Sequence, residues 1–193
     1  MLKFIKENKK SIKVFLFIFI LGLASGILCF KYINIASNNE LVDSFNKSIE
    51  IIKGDNIEKI SIFSSAFINI GIIYLIVIIS SITVITPIVL FIIYFLKGFS
   101  IGLLINVLFI ILGFKQALIV IIFMVIIPNI LNLSVLLFLS IKTIEFNYFI
   151  LEKSDIKKKI KQSIVFFMYF VISSPINILS VFIEQLAIPF LIK

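Results

Sequence analysis

The chain has 193 residues, 61% of them hydrophobic, with 18 lysines, no arginine, no histidine and a net charge of +8. Its mean hydropathy of +1.23 leaves too little polar surface to cover the core of a soluble domain, so lipid is the expected solvent for most of it. In a soluble protein such an excess of cations would point to nucleic acid. Here the lysines flank apolar runs, the pattern that membrane orientation produces, and nucleic-acid binding is set aside.

In chain order, the first apolar run, 14–31, follows the cluster Lys3, Lys6, Lys9, Lys10 and Lys13 and reads as a transmembrane helix. Its alternative, a cleaved signal peptide, lacks a good small-x-small site after the run. Cys29 lies in this run. As the only cysteine it cannot form an intramolecular disulfide, and Leu28 before it is too large for a lipidation motif. From Lys31 to Lys59 the chain carries four lysines and five acids, and 32–59 reads as an outer loop. Within it Leu41, Phe45, Ile49 and Ile52 recur at helical spacing, which predicts one short helix over Asn39 to Lys53. That helix has two readings, a place on the outer rim of the bundle or contact with lipid or a partner.

No charge falls between Ile60 and Leu96, a run too long for one crossing at about 1.5 Å of rise per residue. Ser80, Ser81, Thr83, Thr86 and Pro87 mark a break in it. The predicted second and third spans are 63–82 and 88–112. Gly113-Phe114-Lys115-Gln116 is a tight turn, the fourth span is 117–139, and the fifth is 163–183, with Glu184 at its end and an interfacial tail through Pro189 to Lys193. An inner basic loop, 142–162, holds Lys142, Lys153, Lys157, Lys158, Lys159 and Lys161. Five spans put this loop and the amino-terminal lysines on one side, the cytoplasm, and leave the carboxyl terminus outside. A split of the third span at Lys97 would give two spans of about 14 residues, too short to cross. The predicted fold is a single all-α integral membrane domain.

Most chemistry is excluded. Without histidine there is no paired-histidine zinc protease and no triad with a histidine base. Asp43, Asp55 and Asp155 all lie outside the spans, so no intramembrane aspartate pair exists. Gly98-x-x-x-Gly102 is not a phosphate loop, and phosphate recognition without arginine would rest on lysines alone. No enzyme activity, metal or cofactor is expected.

The residues that stand out are polar or small groups inside the spans. Lys97 falls near the middle of the third, where a charge costs several kcal/mol unless it snorkels, pairs or borders water. Tyr94, Gly98, Gly102 and Asn106 share one helix face beside it, and Gly22 and Gly26 repeat the device in the first span. Such stripes let helices approach closely. In the fourth span Pro128 breaks the helix and is followed by Asn129 and Asn132, whose amides need partners such as Lys97 or freed carbonyls. These residues read either as packing within the bundle or as a docking face or polar cavity.

The stretches TPIVLFIIYFLKGFSIGLLINVL (86–108) and GFKQALIVIIFMVIIPNIL (113–131) resemble the stage II sporulation protein M family of endospore-forming bacteria. The features shared are a proline entering the third span, a Lys-Gly pair followed by glycine, a Gly-aromatic turn and a Pro-Gln-Asn motif. They fall on Pro87, Lys97, Gly98, Gly102, Gly113 and Asn129. Gln116 stands where the family usually has glycine, and Pro128 meets Asn129 directly, without the glutamine. The resemblance implies a non-catalytic five-span scaffold of the cell membrane. By it, the partners would be membrane-anchored cell-wall hydrolases, stage II sporulation proteins P and D, recruited during engulfment of the forespore. Membrane lipids and a second copy of the chain are further possible partners. The alternative function is a component of transport or of bacteriocin maturation or immunity, with Lys97, Asn106, Asn129 and Glu184 lining a polar path.

Overall fold

A backbone in lipid must satisfy its own hydrogen bonds, and this sequence does so with helices. The computed structural model describes residues 7–32, 40, 42–44, 59–151 and 156–187, and every regular element among them is helical. They are α1 (Lys9–Tyr32), α2 (Lys59–Ser80), α3 (Thr86–Val120), a π-helical stretch (Ile121–Ile126), α4 (Ile127–Leu151) and α5 (Ile156–Ala187). Of the helix expected over Asn39 to Lys53, residues 40 and 42–44 are helical, with the Ser44 hydroxyl donating to the Glu40 carbonyl at 2.7 Å. The rest of that segment, the tail 189–193, Lys3 and Lys6 lie outside the described residues.

Among the described residues three stretches are long and apolar enough to cross a membrane: Lys9–Phe30, Thr86–Leu151 and Ile156–Ile183. The middle one has 66 residues, which at about 1.5 Å per residue is roughly three times the ~30 Å hydrocarbon thickness. It is folded back on itself at Gly113, whose φ of 69° and ψ of 170° interrupt α3. A Cβ there would meet nothing within 4 Å, so the demand for glycine comes from the backbone and not from space. The turn thus rests on this one residue, and helix resumes at Phe114.

The corner between α2 and α3 is made by side chains that replace lost helical bonds. The Thr86 hydroxyl is shared between the carbonyls of Ser80 (2.6 Å) and Thr83 (2.7 Å), and the Thr83 hydroxyl donates to Ser80 at 2.8 Å. From α4, the Asn147 amide donates to the carbonyls of Ser81 (2.9 Å) and Thr83 (2.7 Å). Ser80, Ser81, Thr86 and Asn147 are all buried, so these bonds form away from solvent.

Contacts fix the direction of each helix relative to its neighbours. α1 and α3 run parallel: Phe15 stacks on Tyr94 at 4.7 Å, Gly22 meets Phe95, and Gly26 meets Phe99. α2 runs against α3, with Val77, Leu90 and Tyr94 in one apolar cluster around the corner. α4 runs against the first part of α3. Tyr94 hydrogen-bonds to Ser140 at 3.2 Å, while Ile101 and Leu108 pack with Ala117, Val120, Ile121 and Val125 beside the Gly113 turn. α5 runs against α4, with Phe166 stacked on Phe146 at 4.2 Å and Tyr169 edge-on to Phe138 at 5.6 Å. Direction therefore alternates at each connection. All five helices contribute to the main core, through Phe15, Val77, Tyr94, Phe146, Phe166 and Phe170 among others. Large apolar side chains such as Phe17, Ile79 and Val171 stay exposed on the outside, the surface expected of a bundle solvated by lipid.

Two elements differ from the sequence expectation. Pro128 does not break a helix. The π-helical stretch just before it widens one turn, with the Ile127 amide bonded back to Ile122, and this accommodates a residue that has no N–H and whose ring clashes with an ordinary turn. Helix also fills most of the expected inner loop. α4 continues to Leu151 and α5 begins at Ile156, because Thr143, Phe146 and Asn147 are buried and hold the end of α4 against the rest.

Candidate functional site

The four glycines of the sequence motif meet in one place. A Cβ added to Gly22 would strike the Phe95 carbonyl oxygen, and one added to Gly98 would strike that of Phe19 and lie 2.9 Å from the Leu23 nitrogen. Gly26 opposes the Phe99 carbonyl, and Gly102 opposes that of Leu23 with the Ile27 nitrogen 3.0 Å away. Each glycine thus faces a carbonyl of the other helix, over two turns and in matching register. Phe19-x-x-Gly22-x-x-x-Gly26 in α1 and Phe95-x-x-Gly98-x-x-x-Gly102 in α3 are the two halves of this contact. With no hydrophobic driving force between helices in lipid, such an interface rests on dispersion at close range and on Cα–H···O contacts, which glycine alone permits at this distance.

Asn106 closes the same seam. Its amide donates to the Ile27 carbonyl across the interface at 3.1 Å and to Gly102 in its own helix at 3.3 Å. Tyr94, at the other end of the stripe, is fully buried between Phe15 and Ser140. Lys97 sits beside the stripe and is half-buried. Pro128 is buried, and the Asn129 amide donates to the Val125 carbonyl at 2.8 Å, inside its own helix. The structure therefore brings Gly22, Gly26, Gly98, Gly102 and Asn106 together, with Lys97 flanking them, while Asn129 bonds within its own helix beside Pro128.

A second polar site was not singled out from the sequence. Between α2 and α5, the Tyr74 hydroxyl hydrogen-bonds to Ser173 at 3.2 Å and accepts from the Asn177 amide. Ser173 and Asn177 are buried, and the Asn177 Oδ1 has no hydrogen-bond partner among the described residues. The signal was the polar run Ser173-Ser174-Pro175-x-Asn177 inside an otherwise apolar span. Its partner, Tyr74, lies about a hundred residues away and cannot be inferred from spacing. Among the described residues no cluster of histidine, cysteine, aspartate or glutamate has the makings of a metal site.

No curated protein and no solved structure matches the chain significantly. The family model described as stage II sporulation protein M matches residues 15–186, which takes in all five helices almost entire, both halves of the glycine contact and the α2–α5 site. On that match and on its apolar helices, the chain belongs to the stage II sporulation protein M family and is a sporulation-related membrane protein.

Proposed function

We propose that this protein is a non-catalytic scaffold that crosses the cell membrane five times and recruits or localises peptidoglycan hydrolases for engulfment of the forespore. The observation that carries this reading is the family match over residues 15–186. The alternating direction of the five helices supports the odd number of crossings. Parallel α1 and α3 need a return between them, and α2 is the helix available for it. The lysines of 9–13 and 157–161 then share one side, which the positive-inside rule assigns to the cytoplasm, with the amino terminus in and the carboxyl terminus out. A chain without histidine, and with Tyr94, Asn106 and Asn147 engaged in holding helices together, is suited to presenting surfaces rather than to chemistry. By the family resemblance, the hydrolases are the membrane-anchored stage II sporulation proteins P and D.

The test is deletion of the gene, followed by imaging of membranes and spore yield during starvation, together with affinity capture of the tagged chain from solubilised membranes. Arrest before engulfment is complete, with anchored hydrolases in the captured complex, is the expected result. Normal spores and a complex free of hydrolases would contradict the reading.

A further inference from the structure

α1 and α5 run in the same direction, and both begin with the same arrangement of lysines. Lys9, Lys10 and Lys13 on α1, and Lys157, Lys158 and Lys161 on α5, repeat the spacing i, i+1, i+4. At 3.6 residues per turn this spacing gathers three cations within an arc of about 100°. All six are exposed, and none has a partner among the described residues. Nearby lysines behave otherwise. Lys159 bonds back to the Ile150 carbonyl at 2.8 Å, and Lys142 pairs with Glu145 at 2.6 Å. The fold thus employs Lys159 and Lys142 and leaves the two outward groups unused. Phe15 follows the first group within six residues and Phe166 the second within nine. Both phenylalanines belong to the main core, so the two groups lie at one end of the bundle.

Along each helix the lysine face passes directly into an exposed apolar one. On α1 it runs Lys9, Lys13, Phe17, Ile20, and on α5 it runs Lys157, Lys161, Ile164, Met168, in steps of three or four residues. No acid occurs on α5 between Ile156 and Ile183, and over 142–162 six lysines stand against three acids. We propose that these two faces bind anionic phospholipids, with the phosphate held by the lysines and an acyl chain lying along the apolar residues that follow. Such a lipid matches each face over its whole length. A soluble acidic partner matches the lysines alone and leaves Phe17, Ile20, Ile164 and Met168 uncovered, whereas a zwitterionic lipid matches the apolar part alone. Lipid binding of this kind is independent of hydrolase recruitment and needs only that α1 and α5 stand in a membrane.

The experiment reconstitutes the full chain in bilayers of phosphatidylcholine and phosphatidylglycerol in equal parts, then releases it into neutral detergent for native mass spectrometry. The wild-type chain is expected to retain one phosphatidylglycerol for each face and to shed phosphatidylcholine. Lys157→Gln, Lys158→Gln and Lys161→Gln together remove one of the retained lipids, and Lys9→Gln, Lys10→Gln and Lys13→Gln together remove the other. Lys161→Gln alone weakens retention at the α5 face about fivefold in a phosphatidylglycerol titration. Met168→Gln weakens it too, because the acyl chain loses part of its face. Lys115→Gln, at the opposite end of the bundle, changes nothing. Thermal unfolding in the detergent stays the same in all the lysine variants, since these lysines bond nothing in the fold. Inorganic phosphate at matched ionic strength leaves the lipid in place. Equal retention of the two lipids, a lipid count unmoved by either triple variant, the same loss with Lys115→Gln, indifference to Met168→Gln, or displacement by inorganic phosphate would each overturn the proposal.

Discussion

The α1–α3 pair and the α2–α5 pair are both set in an apolar bundle, yet different groups hold them. α1 and α3 touch backbone to backbone through Gly22, Gly26, Gly98 and Gly102, and the one amide at their seam, Asn106, is satisfied. α2 and α5 meet through side chains, Tyr74 with Ser173, Phe170 and Asn177, and they leave Gly71 open and the Asn177 Oδ1 unfilled. The difference follows from what lipid permits. Small residues give close dispersion contact at no desolvation cost, and a seam built of them has no room left. Polar side chains can join helices at longer range, but each must find every partner it needs. The first pair is a closed joint, and the second is an open one.

The largest effect is expected at the closed joint. Gly98→Leu forces a side chain against the Phe19 carbonyl and the Leu23 nitrogen, so the pair must separate at a cost of about 3 kcal/mol. Leu104→Ala, on the same helix but only partly buried, costs less. Thermal unfolding in detergent and crosslinking of α1 to α3 check this, and equal behaviour of the two variants would remove the glycine contact as the origin of the pairing. Next comes the α2–α3 corner, where Asn147→Leu takes from the Ser81 carbonyl its side-chain donor and leaves the Thr83 carbonyl to Thr86 alone. The expected loss is about 2 kcal/mol in the same assay. Gly113→Ala is expected to cost about 2 kcal/mol, all of it from a backbone conformation that is essentially glycine's alone, because no neighbouring atom obstructs the new methyl. The smallest effect on stability is expected at Lys97→Leu, which leaves membrane insertion intact and lowers function. Full function in that variant, measured as completed engulfment, would reduce the lysine to a snorkelling side chain.

These two joints also differ in how far they could be read from the sequence. The closed joint repeats one motif, Phe-x-x-Gly-x-x-x-Gly, in two runs, so each half was visible; that the halves face each other in parallel register, 76 positions apart, was not, because spacing within a helix says nothing about which helix lies opposite. The Asn147 corner and the Tyr74–Asn177 site escaped for the same reason: their partners are 64 to 103 residues apart. Ser80, Ser81, Thr83 and Thr86 marked the α2–α3 break on composition alone, since hydroxyl side chains compete for backbone carbonyls wherever they occur. Pro128 misled, because a widened turn upstream absorbs what an ordinary helix would not. Asn129 reads as an amide in need of Lys97 or a backbone carbonyl, and it bonds to the Val125 carbonyl of its own helix.

The five-crossing arrangement is tested most directly by reporters of membrane side fused after Lys53 and after Lys153. Between these positions lie α2, both arms of α3, and α4, so three crossings are expected and the two reporters should fall on opposite sides, the first outside and the second in the cytoplasm. Both on one side would mean an even number of crossings, and the parallel α1–α3 joint, the orientation and the scaffold drawn from them would fail together.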